Sequence, residues 1–276
     1  MSGPAAERWR EALARWAIPE EIQAAAPAPP WRFDPATFAR HAAHALSEAG
    51  DRPSRRRALE ALPDGGTVLD VGVGGGAASL PLVPPAGLVV AVDDAEGMLD
   101  VFAAAADRIG VAHREVGGTW PAVAATVEAA DVVVSHHVLY NVGDLVPFAA
   151  ALTDHARRRV VVEISEDHPT ANLNPLWLAL HGLERPTTPT AADAVAVLEE
   201  MGLDVASEAF EREWDPFGPD RAGTVARVRE RLCVGPEREA EVEALLEKVA
   251  ADRPVRRAVA LWWDCLLYTS PSPRDS

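Results

Sequence analysis

Thr67-Val68-Leu69-Asp70-Val71-Gly72-Val73-Gly74-Gly75-Gly76-Ala77-Ala78-Ser79-Leu80 is the stretch on which the fold turns. A β-branched, apolar run carries one acid, Asp70, and gives way to glycines at alternate positions. An apolar, alanine-rich segment follows. The pattern predicts a buried strand, a tight turn and a helix starting at that turn. Glycine at 72, 74 and 76 removes β-carbons where a ligand must lie against the main chain. A helix beginning there would offer free N–H groups to an anionic part of that ligand.

Spacing narrows the choice of ligand. The dinucleotide fingerprint is G-x-G-x-x-G. Gly72, Gly74 and Gly76 give G-x-G-x-G, with an acid two residues before the first glycine; Ala77 lets the dinucleotide spacing fit only in relaxed form. Asp70-x-Gly72-x-Gly74-x-Gly76 closely resembles the first motif of class I S-adenosylmethionine-dependent methyltransferases. The resemblance implies that Asp70 orders the loop near the cofactor's amino group. The three glycines would then pass beneath its methionine and ribose portions.

The next segments extend the resemblance. Gly87-Leu88-Val89-Val90-Ala91-Val92 reads as a second buried strand ending in Asp93-Asp94. An acid at such a tip accepts hydrogen bonds from ribose hydroxyls. Asp93 directly ends the apolar run and is preferred over Asp94; helix capping is the plainer reading of both. Met98 would pack on the adenine, as the family pattern implies. Val111 to Val116 is a third strand. The Gly117-Gly118-Thr119-Trp120 segment after it lacks the acid that many family members place on the adenine amino group, so main chain at Gly118 and Thr119, or the Trp120 face, would serve.

Asp131 to Ser135 is a fourth buried strand, followed by His136-His137-Val138-Leu139-Tyr140-Asn141. Ligands of open parallel sheets sit at the C-terminal ends of strands. Ser135 is therefore expected beside the cofactor, His136 as candidate base, and Tyr140 and Asn141 at the acceptor. Adjacent residues do not share a face, so the two histidines are not expected to bind one metal. A fifth strand, Arg159 to Ile164, leads to His168 and Asn174, both expected over the same cleft. Leu203 to Phe210 is a sixth strand. Two amphipathic helices, Asp220 to Leu232 and Glu237 to Ala250, precede a last strand, Val255 to Trp263.

This order matches an α/β, Rossmann-like seven-stranded methyltransferase sheet with a helical insertion before the last strand. Residues 1–64 read as an N-terminal helical appendage or lid, with Asp34-Pro35 opening one of its helices. Residues 65–264 read as the methyltransferase domain. Residues 265–276, from Cys265-Leu266-Leu267-Tyr268 onward, break the composition and resemble translated sequencing-adapter read-through.

Composition bounds the rest. The 276 residues are 48% hydrophobic, carry a formal net charge of −16 and include two cysteines. That charge disfavours nucleic acid as partner, and two cysteines make no disulfide framework. Arg55-Arg56-Arg57 reads as a solvated helix face. No apolar run approaches the ~20 residues of a membrane span, and the first residues lack a signal peptide's apolar stretch, so a cytoplasmic location is expected. Richness in Ala, Val, Arg, Asp and Pro suggests a GC-rich bacterial source. A small-molecule methyltransferase using S-adenosyl-L-methionine is the leading expectation. The alternatives are an NAD(P)-dependent Rossmann oxidoreductase, disfavoured by glycine spacing and by the missing Tyr-x-x-x-Lys pair, and a non-catalytic S-adenosylmethionine-binding protein.

Overall fold

The structure is a computed structural model describing residues 3–30, 35–47, 52–213, 217, 220–252 and 255–265. Its strands are β1 (Thr67–Val71), β2 (Leu88–Asp93), β3 (Ala112–Gly117), β4 (Ala130–His136), β5 (Ala156–Ser165), β6 (Ala206–Glu213) and β7 (Val255–Asp264). Its helices are α1 (Pro4–Ala14), α2 (Glu20–Ala24), α3 (Pro35–Ser47), α4 (Pro53–Ala61), α5 (Glu96–Ile109), α6 (Leu145–Asp154), α7 (Asn174–His181), α8 (Ala191–Glu200), α9 (Arg221–Arg231) and α10 (Glu239–Asp252). The seven strands form one sheet in the order β3-β2-β1-β4-β5-β7-β6. β1 to β5 pair in parallel, with Asp70 beside Ala91 on one side and Val134 on the other. The order reverses between β1 and β4, which is where a doubly wound sheet opens its ligand crevice. The expected fold class holds, with α9 and α10 inserted between β6 and β7.

Two compact units divide the chain. One comprises Asp34–Ile164, Leu198–Glu208 and Ala260–Ser276. Val68, Val89, Val132, Val134 and Val161 are fully covered on one face of its sheet, together with Leu80, Leu82 and Phe102. Strands sandwiched this way read as near-continuous Val runs rather than alternating ones. Each large apolar side chain so covered contributes roughly 1.5–3 kcal/mol of transfer free energy. The other unit comprises Met1–Phe33, Ser165–Val197 and Ala209–Val259. Its core joins Ile18, Leu176, Trp177, Val225, Val242 and Leu246. The 1–64 segment expected as one appendage is thus divided between the two units.

The helix expected directly after the glycines does not form. Residues 74–79 are turns, followed by the three-residue 3-10 segment Leu80–Leu82. Gly72, Gly74 and Gly76 all have positive φ (75°, 51° and 85°), which a right-handed helix does not tolerate. Pro81, Pro84 and Pro85 then remove N–H donors and restrict the residues before them. No helix N-terminus is therefore available at this turn for an anion.

Asp34, the expected N-cap, lies outside the described residues, as does the tail from 266 onward. Cys265, the first residue assigned to that tail, donates its backbone N–H to Arg158 O at 2.7 Å, so hydrogen bonding persists one residue past β7. Among the described residues no helix is long and apolar enough to cross a membrane.

Candidate functional site

The glycine turn is anchored on its own strand and on β2. Gly72 and Val73 both donate N–H to Val92 O. Asp93, at the tip of β2, accepts from Gly74 N at 2.9 Å through Oδ2 and from Ala95 N at 3.0 Å through Oδ1. Asp94 beside it is exposed. Asp70 is 1% exposed. Ser79 donates to its Oδ2 at 2.6 Å, while Oδ1 is buried with no partner among the described residues. Burial raises the Asp70 pKa to about 7, with the Asp93 charge adding to the rise and Ser79 opposing it.

The room beside the glycines belongs to the protein itself. A β-carbon on Gly72 would run into Val138. One on Gly74 would come within 2.8 Å of Phe38 Cδ1, and one on Gly75 within 2.5 Å of the Phe38 carbonyl oxygen. Leu80 and Phe102 close off Gly76. The missing side chains thus let α3 and the chain after β4 seat on the turn, a close packing the sequence did not announce.

Around the adenine-side expectations, Met98 is buried and Gly118 donates its N–H to Asp93 O at 2.9 Å. Thr119 is exposed. Trp120 is buried, its Nε1 donating to Phe148 O at 3.4 Å and its ring edge-on to His155. Ser135 is fully buried and donates to Val71 O at 2.9 Å, so its hydroxyl ties β4 to β1.

Val132, Val134 and His136 alternate onto one face of β4, as Val161 and Glu163 do on β5; His136 and Glu163 are paired in register. Glu163 is 1% exposed. It accepts from Ser54 Oγ at 2.5 Å through Oε2 and faces His137 Nε2 at 3.1 Å through Oε1, with Arg52 at 3.8 Å. Burial alone would raise the Glu163 pKa; the His137 hydrogen bond, the nearby histidine charges and the Ser54 hydroxyl outweigh it and hold the carboxyl well below the usual range. His137 N also donates to Glu163 O at 2.7 Å, which fixes His137 at φ 59°, a conformation few non-glycine residues adopt. A small pocket with room for about one water lies beside this cluster, lined by Arg52, Ser54, Arg55, Ala77, His136 and Glu163 among others. Tyr140 is buried in the 3-10 turn Leu139–Asn141, and Asn141 is exposed.

His168 and Asn174 belong to the other unit. His168 stacks on Trp16 with ring centroids 3.8 Å apart and holds Thr170 Oγ1 at 3.0 Å. Burial, then the Arg185 charge, push its pKa down to about 4. Asn174 donates to Pro186 O at 2.9 Å.

Ser79, Glu163, Ser54 and Arg55 were not singled out from sequence as site residues. Glu163 left a signal: an acid inside Val160-Val161-Val162-Glu163-Ile164, where burial is otherwise complete.

Residues 69–161 match the family model described as a methyltransferase domain. No curated protein matches the chain. Solved structures are similar in fold at low identity. A SAM-dependent methyltransferase from Thiobacillus denitrificans, in complex with S-adenosyl-L-homocysteine, shares 16% identity at a TM-score of 0.54, covering 84% of this chain and 99% of that one. A cyclopropane-fatty-acyl-phospholipid synthase-like protein from Lactobacillus casei shares 16% identity at 0.51, covering 94% and 99%. The YcgJ protein from Bacillus subtilis shares 14% at 0.52, covering 82% and 100%. Residues 69–161 thus match a methyltransferase-domain model, and the chain shares its fold with a SAM-dependent methyltransferase of known structure.

Proposed function

We propose that the chain is an S-adenosyl-L-methionine-dependent methyltransferase acting on a small-molecule acceptor. The observation that carries this reading is Asp70. A buried carboxylate with one oxygen unpartnered among the described residues, beside a left-handed glycine turn at the sheet's reversal point, is an acceptor waiting for a donor. An ammonium group satisfies it and lowers its pKa. The residues present therefore fit the amino-acid end of the cofactor. Asp93, half-buried, keeps acceptor capacity for ribose hydroxyls beyond the two N–H groups it already holds. Asp94, Met98, Thr119 and Trp120 remain proposed neighbours of the cofactor, and Tyr140 and Asn141 proposed acceptor contacts.

When bound, S-adenosylmethionine supplies a methyl group on a positively charged sulfur, already activated for displacement. The work left to the chain is positioning, water exclusion and proton removal. Phe38 and Ala42 of α3 lie against Gly74 and Gly75 and shield the turn. We therefore assign the covering role within residues 1–64 to α3, and the catalytic domain to residues 65–264. The His136 imidazole, at the C-terminal end of β4 beside Glu163, takes the proton that an acceptor hydroxyl or amine loses.

Calorimetric titration of the purified chain with S-adenosylmethionine, S-adenosylhomocysteine and NAD(P) tests the reading. Micromolar affinity for the first two is expected. Tighter binding of NAD or NADP would overturn it. Nothing in the fold or the comparisons favours the oxidoreductase alternative.

A further inference from the structure

Two carboxylates are buried among the described residues, Asp70 and Glu163. Asp70 is given to the cofactor, and Glu163 has no part in the function proposed so far. A carboxylate in a sheet interior is costly unless it is paired, and Glu163 is paired from two sides. Ser54 and Arg52 reach it from the start of α4, at 2.5 and 3.8 Å. That helix is itself held down. Arg56 makes a two-pronged contact to Glu208, at 2.7 and 2.8 Å. Arg57 reaches Glu60 at 3.0 Å and Glu208 at 3.1 Å, and lies over the Trp262 ring at 4.4 Å. These two arginines staple the helix to its surroundings, against the expectation of a solvated face.

From the other side, two histidines come to the same carboxylate. His136 pairs in register with Glu163 and shares its face of the sheet. His137, the next residue, would face away if the strand went on. Its φ of 59° breaks the alternation, and its Nε2 meets Oε1 of Glu163 at 3.1 Å. Nε2 of His136 is buried, and the ring lines the small pocket with Arg52, Arg55 and Glu163. A His136 ring that gains a proton becomes a cation with little water around it and two guanidinium groups nearby. Desolvation and both arginines oppose that charge. Among the described residues lining the pocket, only Glu163 favours it. The histidine charges are in turn among the causes that keep Glu163 ionised, so the coupling is mutual.

We propose that Glu163 is the positioning residue of the base: its carboxylate, fixed by Ser54 and His137, stabilises the His136 imidazolium that forms when the acceptor is deprotonated. In that step an O–H or N–H bond of the acceptor breaks, its electron pair stays on the acceptor, and a second N–H bond forms on the ring. The proposal rests on the reading of His136 as the base. The interaction of the two side chains does not depend on that reading.

The test needs neither cofactor nor acceptor. NMR follows the His136 imidazole of the full chain through a pH titration, in wild type, Glu163→Gln and Glu163→Asp, with the resonance assigned by its absence from His136→Ala. Cooperative urea unfolding reports that each variant is folded. Glu163→Gln keeps the shape and removes the charge, so the His136 midpoint should fall by about one pH unit. Glu163→Asp keeps the charge but draws it back, and its midpoint should lie between. A packing role predicts the reverse order, because the shorter side chain leaves the larger defect. Should Glu163→Gln not fold, Arg52→Gln takes its place: losing that cation should raise the midpoint. A midpoint unmoved in Glu163→Gln, a larger fall in Glu163→Asp than in Glu163→Gln, or an unmoved midpoint in the Arg52→Gln substitute would each overturn the proposal. With an acceptor found by homocysteine release among phenols, carboxylates and amines, the rising limb of kcat in Glu163→Gln should move with the midpoint, and KM should stay the same. A limb that stays put while the midpoint moves would sink the reading of His136 as the base and leave the coupling of Glu163 and His136 standing.

Discussion

Ser79 donates its hydroxyl proton to Oδ2 of Asp70 at 2.6 Å, leaving Oδ1 of the same buried carboxylate without a partner among the described residues. Burial holds the Asp70 pKa at about 7. At pH 6 most of the free protein therefore carries Asp70 neutral. A cationic amino group at Oδ1 favours the ionised form, so binding must expel a proton at that pH. S-adenosylhomocysteine affinity is expected to rise between pH 6 and pH 8, and calorimetry at pH 6 in buffers of different ionisation enthalpy should detect the released proton. Asp70→Asn should abolish both effects. A flat affinity profile with no proton release would remove Asp70 from the cofactor's amino group.

The same group sets a stability trend. Its folded pKa lies above the unfolded carboxylate value, so the native state holds more protons between about pH 4 and pH 7. Stability without ligand should fall as pH rises through that window, by about 4 kcal/mol at most. Glu163 acts in the opposite sense and elsewhere. Its folded pKa is depressed, so its contribution is present above the unfolded value and is lost on acidification below about pH 4. Urea unfolding across pH 4–8 checks the first trend. Asp70→Asn should flatten that part of the curve and leave the acid limb in place.

The glycine turn and α3 can be tested by substitution. Gly74→Ala places a methyl against the Phe38 ring at a φ of 51°, and both terms oppose it. A loss of about 1–3 kcal/mol is expected. Phe38→Ala in the same chain should return the steric part. Gly75→Ala meets the Phe38 carbonyl oxygen instead, so Phe38→Ala should not rescue it. Equal rescue of both variants would show that α3 does not sit on the turn as described.

The parallel strands were readable from sequence because their apolar runs are short, β-branched and bounded by turn residues. Val68 to Val71, Val89 to Val92, Val132 to Val134 and Val160 to Val162 are all buried, and each stops within three residues of its strand's end. The helix after the glycines was not readable from the alanine run. Its failure lies in three prolines just beyond and in three left-handed glycines just before, and local propensity gave way to both. The site was partly legible. Asp70 and Asp93 stand where strand tips place them, because a strand end is a local property. The Glu163–His137–Ser54 cluster joins residues up to 109 positions apart, and pairing of β4 with β5 creates it. Short-range spacing holds no record of such a contact. Ser135 looked like a pocket residue by position. Period-two alternation turns it to the face opposite His136, where Val71 O takes its hydroxyl.

His136 carries the remaining chemistry. It shares a face of the sheet with Glu163 and lines the small pocket beside it. His137, its neighbour, is bound to Glu163 through both main chain and ring, and its φ of 59° is kept by those contacts. The two histidines should therefore fail differently. His136→Ala should lower turnover ~10²–10⁴-fold, the range of a positioned base, with S-adenosylhomocysteine affinity nearly unchanged. His137→Ala removes a hydrogen bond from a buried, ionised carboxylate and should cost about 1.5–3 kcal/mol of stability. An acceptor is first identified by a homocysteine-release screen of phenols, carboxylates and amines. The pH profile then separates the roles. If His136 is the base, turnover should rise with pH as the imidazole loses its proton, and His136→Ala should abolish that limb. Full turnover in His136→Ala across the profile would mean that the acceptor arrives already deprotonated, and that positioning alone suffices.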